Sequence, residues 1–91
     1  MKYLLNPSTR FQKDVKRAKN RGYDIDLLTE VIRKLANGEV LDKKYRDHML
    51  SGDYAGCHEC HITSDWLLIY EIYEQELILY LTRTGTHSDL F

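Results

Sequence analysis

Asp65-Trp66-Leu67-Leu68-Ile69-Tyr70-Glu71-Ile72-Tyr73-Glu74-Gln75-Glu76-Leu77-Ile78-Leu79-Tyr80-Leu81-Thr82-Arg83 is the stretch that decides the fold. Two runs rich in aliphatic and aromatic residues flank the polar Glu74-Gln75, which is the composition of two antiparallel strands joined by a turn. Upstream, 56–62 reads as a third strand, with Thr63-Ser64-Asp65 as its turn into 66–73. The three strands, 56–62, 66–73 and 77–83, make an antiparallel meander.

Before the meander the period changes from two to about 3.6. Phe11, Val15 and Ala18 recur at helical spacing, with Arg10, Lys13, Arg17 and Arg21 on another face. Asn6-Pro7 reads as the start of that helix and Gly22 as its stop. Asp24 can cap a second helix with the stripe Ile25, Leu28, Ile32 and Leu35, ending near Asn37-Gly38. Residues 2–5 form a short first strand that can join the sheet edge. Periodicity fails over 39–54, which reads as a long connection. The expected architecture is an α+β domain spanning 1–91: a short N-terminal strand, a two-helix hairpin, then an antiparallel β-meander packed against the helices.

Ninety-one residues with 43% apolar content support one folded domain with a modest core. No apolar run approaches the roughly 20 residues that span a bilayer, and the N-terminus has no long signal-peptide h-region. Cys57 and Cys60, three apart on a strand, point opposite ways, so a disulfide between them is not expected and a reducing cytoplasm is the expected setting. The net charge of −1 conceals an asymmetry: residues 1–46 hold twelve Lys/Arg against six Asp/Glu, whereas 47–91 hold one against eight. A basic half of this kind suits phosphates or an acidic partner. The lone basic residue of the acidic half is Arg83.

Four histidines, two cysteines and Arg83 are the residues able to carry chemistry. Cys57-His58-Glu59-Cys60-His61 has the letters of a zinc site, but no second CxxC or HxxxH accompanies it. A small zinc-binding adaptor is therefore the weaker reading, and buried free cysteines the stronger. Alternation places Cys57, Glu59 and His61 on one side of their strand, and Arg83 in phase with Leu77, Leu79 and Leu81. His48 lies in the long connection, and His87 follows Gly85. Together these are the parts for RNA cleavage without a metal or cofactor. Imidazoles with ordinary pKa near 6.5 can take a proton from a 2′-hydroxyl and return one to the departing 5′ oxygen. A guanidinium can hold the excess negative charge of the transition state with paired hydrogen bonds, and an aromatic ring can stack on a splayed base.

Three ordered blocks carry a resemblance: Tyr45-Arg46-Asp47-His48-Met49-Leu50-Ser51-Gly52, then Glu59-Cys60-His61-Ile62 with Asp65-Trp66-Leu67-Leu68-Ile69-Tyr70, then Arg83 through Phe91, with Phe11-Gln12-Lys13-Asp14 in the first helix. The chain resembles the YafQ branch of RelE/ParE-type toxins over essentially its whole length. The resemblance implies a cytoplasmic type II toxin, a metal-independent endoribonuclease that cuts message on the ribosome and stops translation. It implies that His48, His61, Asp65, Arg83 and His87 form the catalytic set, with His87 as acid, Arg83 as phosphate clamp, and the base one of His48, His61 or Asp65. Phe91 would position the message. Trp66 opens an apolar strand and reads as core, with a substrate contact as its other reading. Arg10, Lys13, Lys16 and Arg17 would meet ribosomal RNA or an antitoxin, a small ribbon-helix-helix DNA-binding protein with an acidic segment. ParE-type relatives of the same fold inhibit gyrase and lack this histidine set, which separates the two activities.

Overall fold

A computed structural model describes residues Met1–Phe91. Strand Leu4–Pro7 (β1) leads into helices Thr9–Asn20 (α1) and Ile25–Ala36 (α2). A connection with 3-10 turns at Lys43–Tyr45 and Gly52–Tyr54 brackets a two-residue strand, His48–Met49 (β2). Strands His58–Thr63 (β3), Trp66–Tyr73 (β4) and Ile78–Gly85 (β5) follow, and His87–Leu90 (α3) closes the fold. The sheet order is β1-β5-β4-β3-β2, with β1 parallel to β5 and every other pair antiparallel. The architecture is the expected α+β arrangement, with β2 and α3 added to it. Two residues of strand and four of helix are too short to show a period.

The helical hairpin covers one face of the sheet. Phe11 and Ala18 of α1 and Leu28, Val31, Leu35 and Ala36 of α2 meet Cys60, Leu68, Tyr70, Leu79 and Leu81 there. The other face carries a smaller apolar cluster of Cys57, Leu67, Ile69 and Leu90, with Leu50 and Tyr54 against it. Leu67, Leu68 and Ile69 are therefore fully buried, each contributing about 1.5–3 kcal/mol of transfer free energy. Gly22, at φ 82°, is the left-handed stop after α1 that the sequence predicts, and Asp24 caps α2 by accepting from the Asp26 N–H.

The start of α1 differs from the sequence reading. Pro7 stays in β1 opposite Leu81, at a sheet edge where its missing N–H costs little, and Ser8 is the cap. The Ser8 hydroxyl accepts from the Phe11 N–H at 2.9 Å and donates to the Thr82 carbonyl at 2.8 Å.

The phase of Arg83 is a second correction. Tyr70 faces Leu81, but the preceding residue, Ile69, faces Arg83, so the register shifts by one residue at Thr82. This bulge turns Arg83 away from the side of Leu79 and Leu81 to the face of Ile69, opposite the helices. Ser8 holds the bulged carbonyl. Ser8→Ala is expected to cost about 1–2 kcal/mol in urea unfolding with an unchanged m-value, the sum of a lost cap and a released bulge.

Candidate active site

Residues paired directly across neighbouring strands project from the same face. One such row runs His48, Glu59, Ile69, Arg83 across β2, β3, β4 and β5. The next runs His61, Leu67, Gly85. Both face away from the helices, so the sheet itself assembles histidines and arginine from three strands, β2, β3 and β5, across β4.

His48 is exposed, and its Nδ1 donates to the Arg46 carbonyl at 2.9 Å, which turns Nε2 towards the sheet. That Nε2 lies 3.4 Å from Glu59 Oε1, and Nε2 of the buried His61 lies 3.5 Å from the same oxygen. Glu59 is itself only 3% exposed. A buried carboxylate thus sits between two imidazoles and can accept from either. The His48 and His61 ring centres are 6.4 Å apart, and His61 and His87 are 6.1 Å apart. On the far side, Asp65 Oδ1 accepts from the His87 N–H at 3.2 Å and from its Nδ1 at 3.0 Å. Those two bonds hold the Asp65 carboxyl below the ordinary carboxylate range and leave the His87 Nε2 facing outward.

Arg83 is oriented by Asp14 of α1. Its Nε and Nη2 donate to the two Asp14 oxygens at 2.7 and 3.1 Å, and Oδ2 also accepts the Thr84 N–H at 3.1 Å. That last bond satisfies β5 beyond the point where β1 stops pairing with it. The pairing with Asp14 pushes the Arg83 pKa further up, and the guanidinium stays charged. Tyr54 lies beside it and donates to the Leu90 carbonyl.

The segment after Arg83 is an ordered helix. Thr86 and Asp89 form a reciprocal capping box over α3, and Leu90 is buried beneath it. Asp89 pairs with Arg21 through bonds of 2.7 and 3.1 Å and approaches Arg17 at 3.7 Å. Gly85 permits this closeness, because a Cβ there would stand 2.9 Å from the Asp89 carboxylate. Phe91, exposed, lies 5.9 Å from the His87 ring and 5.4 Å, edge-on, from Tyr54. All five residues of the sequence-derived catalytic set lie in this cluster or at its border, with Phe91 at its rim.

Residues 3–91 match the family model described as a bacterial toxin of type II toxin–antitoxin systems, YafQ. The chain belongs to the YafQ toxin family. It is 38% identical over 85 residues to the mRNA interferase toxin YafQ of Escherichia coli K12, covering 92% of this chain and 90% of that protein. A metal-bound toxin from Helicobacter pylori superposes with a TM-score of 0.91 at 42% identity, covering 98% of this chain and 99% of that one. The E. coli DinJ–YafQ complex gives 0.89 at 36% identity, with 98% of both chains covered.

Within this YafQ-family fold the remaining sequence-derived residues divide. Trp66 is buried against Tyr23 and donates to the Thr84 hydroxyl, supporting β5 from beneath. Arg10, Lys13 and Lys16 are exposed on α1, but the Arg17 guanidinium is drawn inward to Asp14 and Asp89. Cys57 and Cys60 are free, buried and in separate clusters on opposite faces, and no group of three or more His, Cys, Asp or Glu side chains is arranged to hold a metal ion. Burial pushes both thiols up from their ordinary pKa.

Sequence reasoning missed Glu59, Asp14 and Asp89 as parts of the site. The signal for Asp14 was an acid inside the apolar stripe of Phe11, Val15 and Ala18. Glu59 was already placed on the side of His61 but given no task. Asp47 had no local signal: it holds the Tyr70 hydroxyl and His58 Nδ1, fixing the connection next to His48.

Two predictions follow from these carboxylates. Asp14→Ala should cost about 3 kcal/mol in urea unfolding by leaving Arg83 without its buried partner, and Asp14→Ala/Arg83→Met should recover part of that loss. Arg21, with help from Thr86, holds the Asp89 carboxyl far below the ordinary range, so its contribution is complete at neutral pH and fades as pH falls below about 4. Asp89→Asn should be less stable than wild type at pH 7, with the gap closing on acidification in thermal melts.

Proposed function

We propose that this YafQ-family chain is a ribosome-dependent endoribonuclease that cuts messenger RNA by 2′-hydroxyl attack, without a metal. The observation that carries this reading is the line of imidazoles His48, His61 and His87, spaced about 6 Å apart on one face, each next to a carboxylate. The E. coli K12 relative's description as an mRNA interferase supports the same substrate.

The geometry supports a division of roles. His87 is the general acid: Asp65 takes its Nδ1–H, and an Nε2–H can go to the departing 5′ oxygen. Asp65, engaged by His87 and depressed in basicity, is a poor proton acceptor. The base is therefore His48 or His61, each able to remove the 2′-hydroxyl proton. Glu59 lies beside the Nε2 of each, 3.4 and 3.5 Å away, so a proton taken up at either Nε2 stands next to its carboxylate. The 2′ oxygen then bonds to phosphorus, the bond to the 5′ oxygen breaks with its proton supplied by His87, and a 2′,3′-cyclic phosphate remains. Arg83, fixed by Asp14 on its Nε edge, offers its other N–H groups to the phosphoryl oxygens. Phe91 stacks against the message.

The exposed cations Arg10, Lys13 and Lys16 on α1 suit ribosomal RNA phosphates. They equally suit an acidic antitoxin segment, and the solved complex of the E. coli relative with DinJ supports an antitoxin partner for this chain. Such an antitoxin would be the ribbon-helix-helix protein through which the pair contacts DNA.

The test is single-turnover cleavage of message on programmed ribosomes. Wild type should cut, a 2′-deoxy nucleotide at the cut should block it, and His87→Ala should slow it about 10²–10⁴-fold while melting like wild type. Toxin stripped of metal with EDTA and then freed of the chelator should cleave at the untreated rate on the same magnesium-containing ribosomes, and a loss that an added transition metal restores would overturn the metal-free mechanism. The metal-bound H. pylori toxin makes that arm informative.

A further inference from the structure

Beside His61 the surface opens into a cleft of about 460 Å³. It is lined by Lys44, Tyr45 and Arg46 of the connection, by residues 61–64 at the end of β3, and by Leu27 and Glu30 of α2. Its volume lies within the range of pockets that enclose small organic ligands. The one acid on its rim, Glu30, is paired with Arg33 through bonds of 2.6 and 3.2 Å, so its charge is answered by a neighbour. Lys44 and Arg46 carry no ion pair. A third cation, Lys34, stands 5.5 Å from the centre of the Tyr45 ring, and Lys44 stands 5.1 Å from it.

Arg46 is also conformationally unusual. Its backbone is left-handed, at φ 51° and ψ 45°, a state that costs a residue with a Cβ about 1–2 kcal/mol. Glycine or asparagine would occupy the position more cheaply. From that conformation the Arg46 carbonyl accepts from His48 Nδ1 while its side chain lines the cleft. One strained residue thus orients a catalytic imidazole and places a guanidinium beside a second one.

We propose that this cleft is a nucleotide subsite, holding the message nucleotide on the 5′ side of the scissile phosphate. Lys44 and Arg46 bind its phosphate, and the Tyr45 wall with Thr63 and Ser64 reads its base. The side follows from the order of the imidazoles: the cleft touches His61, on the base side, and does not reach His87, the acid. The nucleotide there carries the attacking 2′-hydroxyl. This assignment rests on the ribonuclease reading above and extends it to substrate selection.

The discriminating variant is Arg46→Gly. Glycine adopts the same backbone without penalty and keeps the carbonyl that orients His48, so fold and melting temperature should hold while the guanidinium is gone. Single-turnover cleavage on programmed ribosomes is measured with the four nucleotides, and an abasic residue, at the position 5′ of the cut. Arg46→Gly should raise the half-saturating concentration about tenfold, with a smaller change in the maximal rate. It should reduce the salt dependence by about one phosphate contact and leave the preference among the four nucleotides as it is, whereas Thr63→Ala/Ser64→Ala, at the two exposed residues that face the base, should flatten that preference with the salt dependence unchanged. An unchanged nucleotide preference in Thr63→Ala/Ser64→Ala overturns the subsite, and a raised half-saturating concentration in Arg46→Gly then assigns Arg46 to ribosomal phosphates. Lost antitoxin affinity with unchanged cleavage also overturns it. If wild type itself fails to cleave, the ribonuclease reading falls and takes the subsite with it. If wild type cleaves but Arg46→Gly behaves identically, only the subsite falls.

Discussion

The Asp14 carboxylate is the contact on which the rest of this molecule turns. It is buried, and it closes three separate accounts at once: the Arg83 guanidinium, the Arg17 guanidinium and the Thr84 N–H. The first aims a cation across the sheet, the second ties α1 to itself, and the third finishes the edge of β5 where β1 has ended. Removing a charge from water is costly, and a carboxylate this enclosed is stable only because its oxygens are fully bonded to cations and an N–H. The same arrangement leaves Arg83 with one edge fixed and another available, as the proposed phosphoryl clamp requires.

The bulge at Thr82 and the sheet pairing do the complementary work. Without the one-residue shift, Arg83 would continue in phase with Leu79 and Leu81 and point into the helical core. With it, Arg83 joins His48 and Glu59 in a single cross-strand row. The face opposite the helices is therefore no bare sheet surface. Its centre is sealed by Leu67, Ile69 and Leu90, and its margin holds the polar residues. α3 is held to this face from two directions, by Leu90 from beneath and by Arg21 and Arg17 at Asp89. His87 and Phe91 consequently stand on a capped helix, and side chains on a rigid support are placed more accurately than those on a loose segment.

Much of the fold was legible residue by residue. The aliphatic and aromatic runs in 56–83, broken by the polar turns Thr63-Ser64-Asp65 and Glu74-Gln75, announced the meander, and Asp24 and Gly22 marked real helix boundaries. The misreadings have physical causes. Asn6-Pro7 looked like a helix start because proline suits the first turn, yet an edge strand tolerates it as well, and Ser8 made the better cap. β2 exists only because β3 lies alongside to pair with it. Arg83 was placed on the wrong side because a strict two-residue period cannot foresee a bulge that a distant serine holds.

By itself the sequence determined the α+β class, the helix and strand order, the charge asymmetry between the halves, and the residue blocks that place the chain among YafQ toxins. These are properties of local periodicity, capping chemistry and ordered motif, and each is written within a few neighbouring residues. Only the tertiary structure decided that Glu59 lies between His48 and His61, that Asp65 serves His87, and that Asp14 and Asp89 hold Arg83 and α3 in place. Those relations join residues up to about seventy positions apart. They arise when strand register and helix packing bring unlike charges within hydrogen-bond reach, and no local pattern in the chain encodes that meeting.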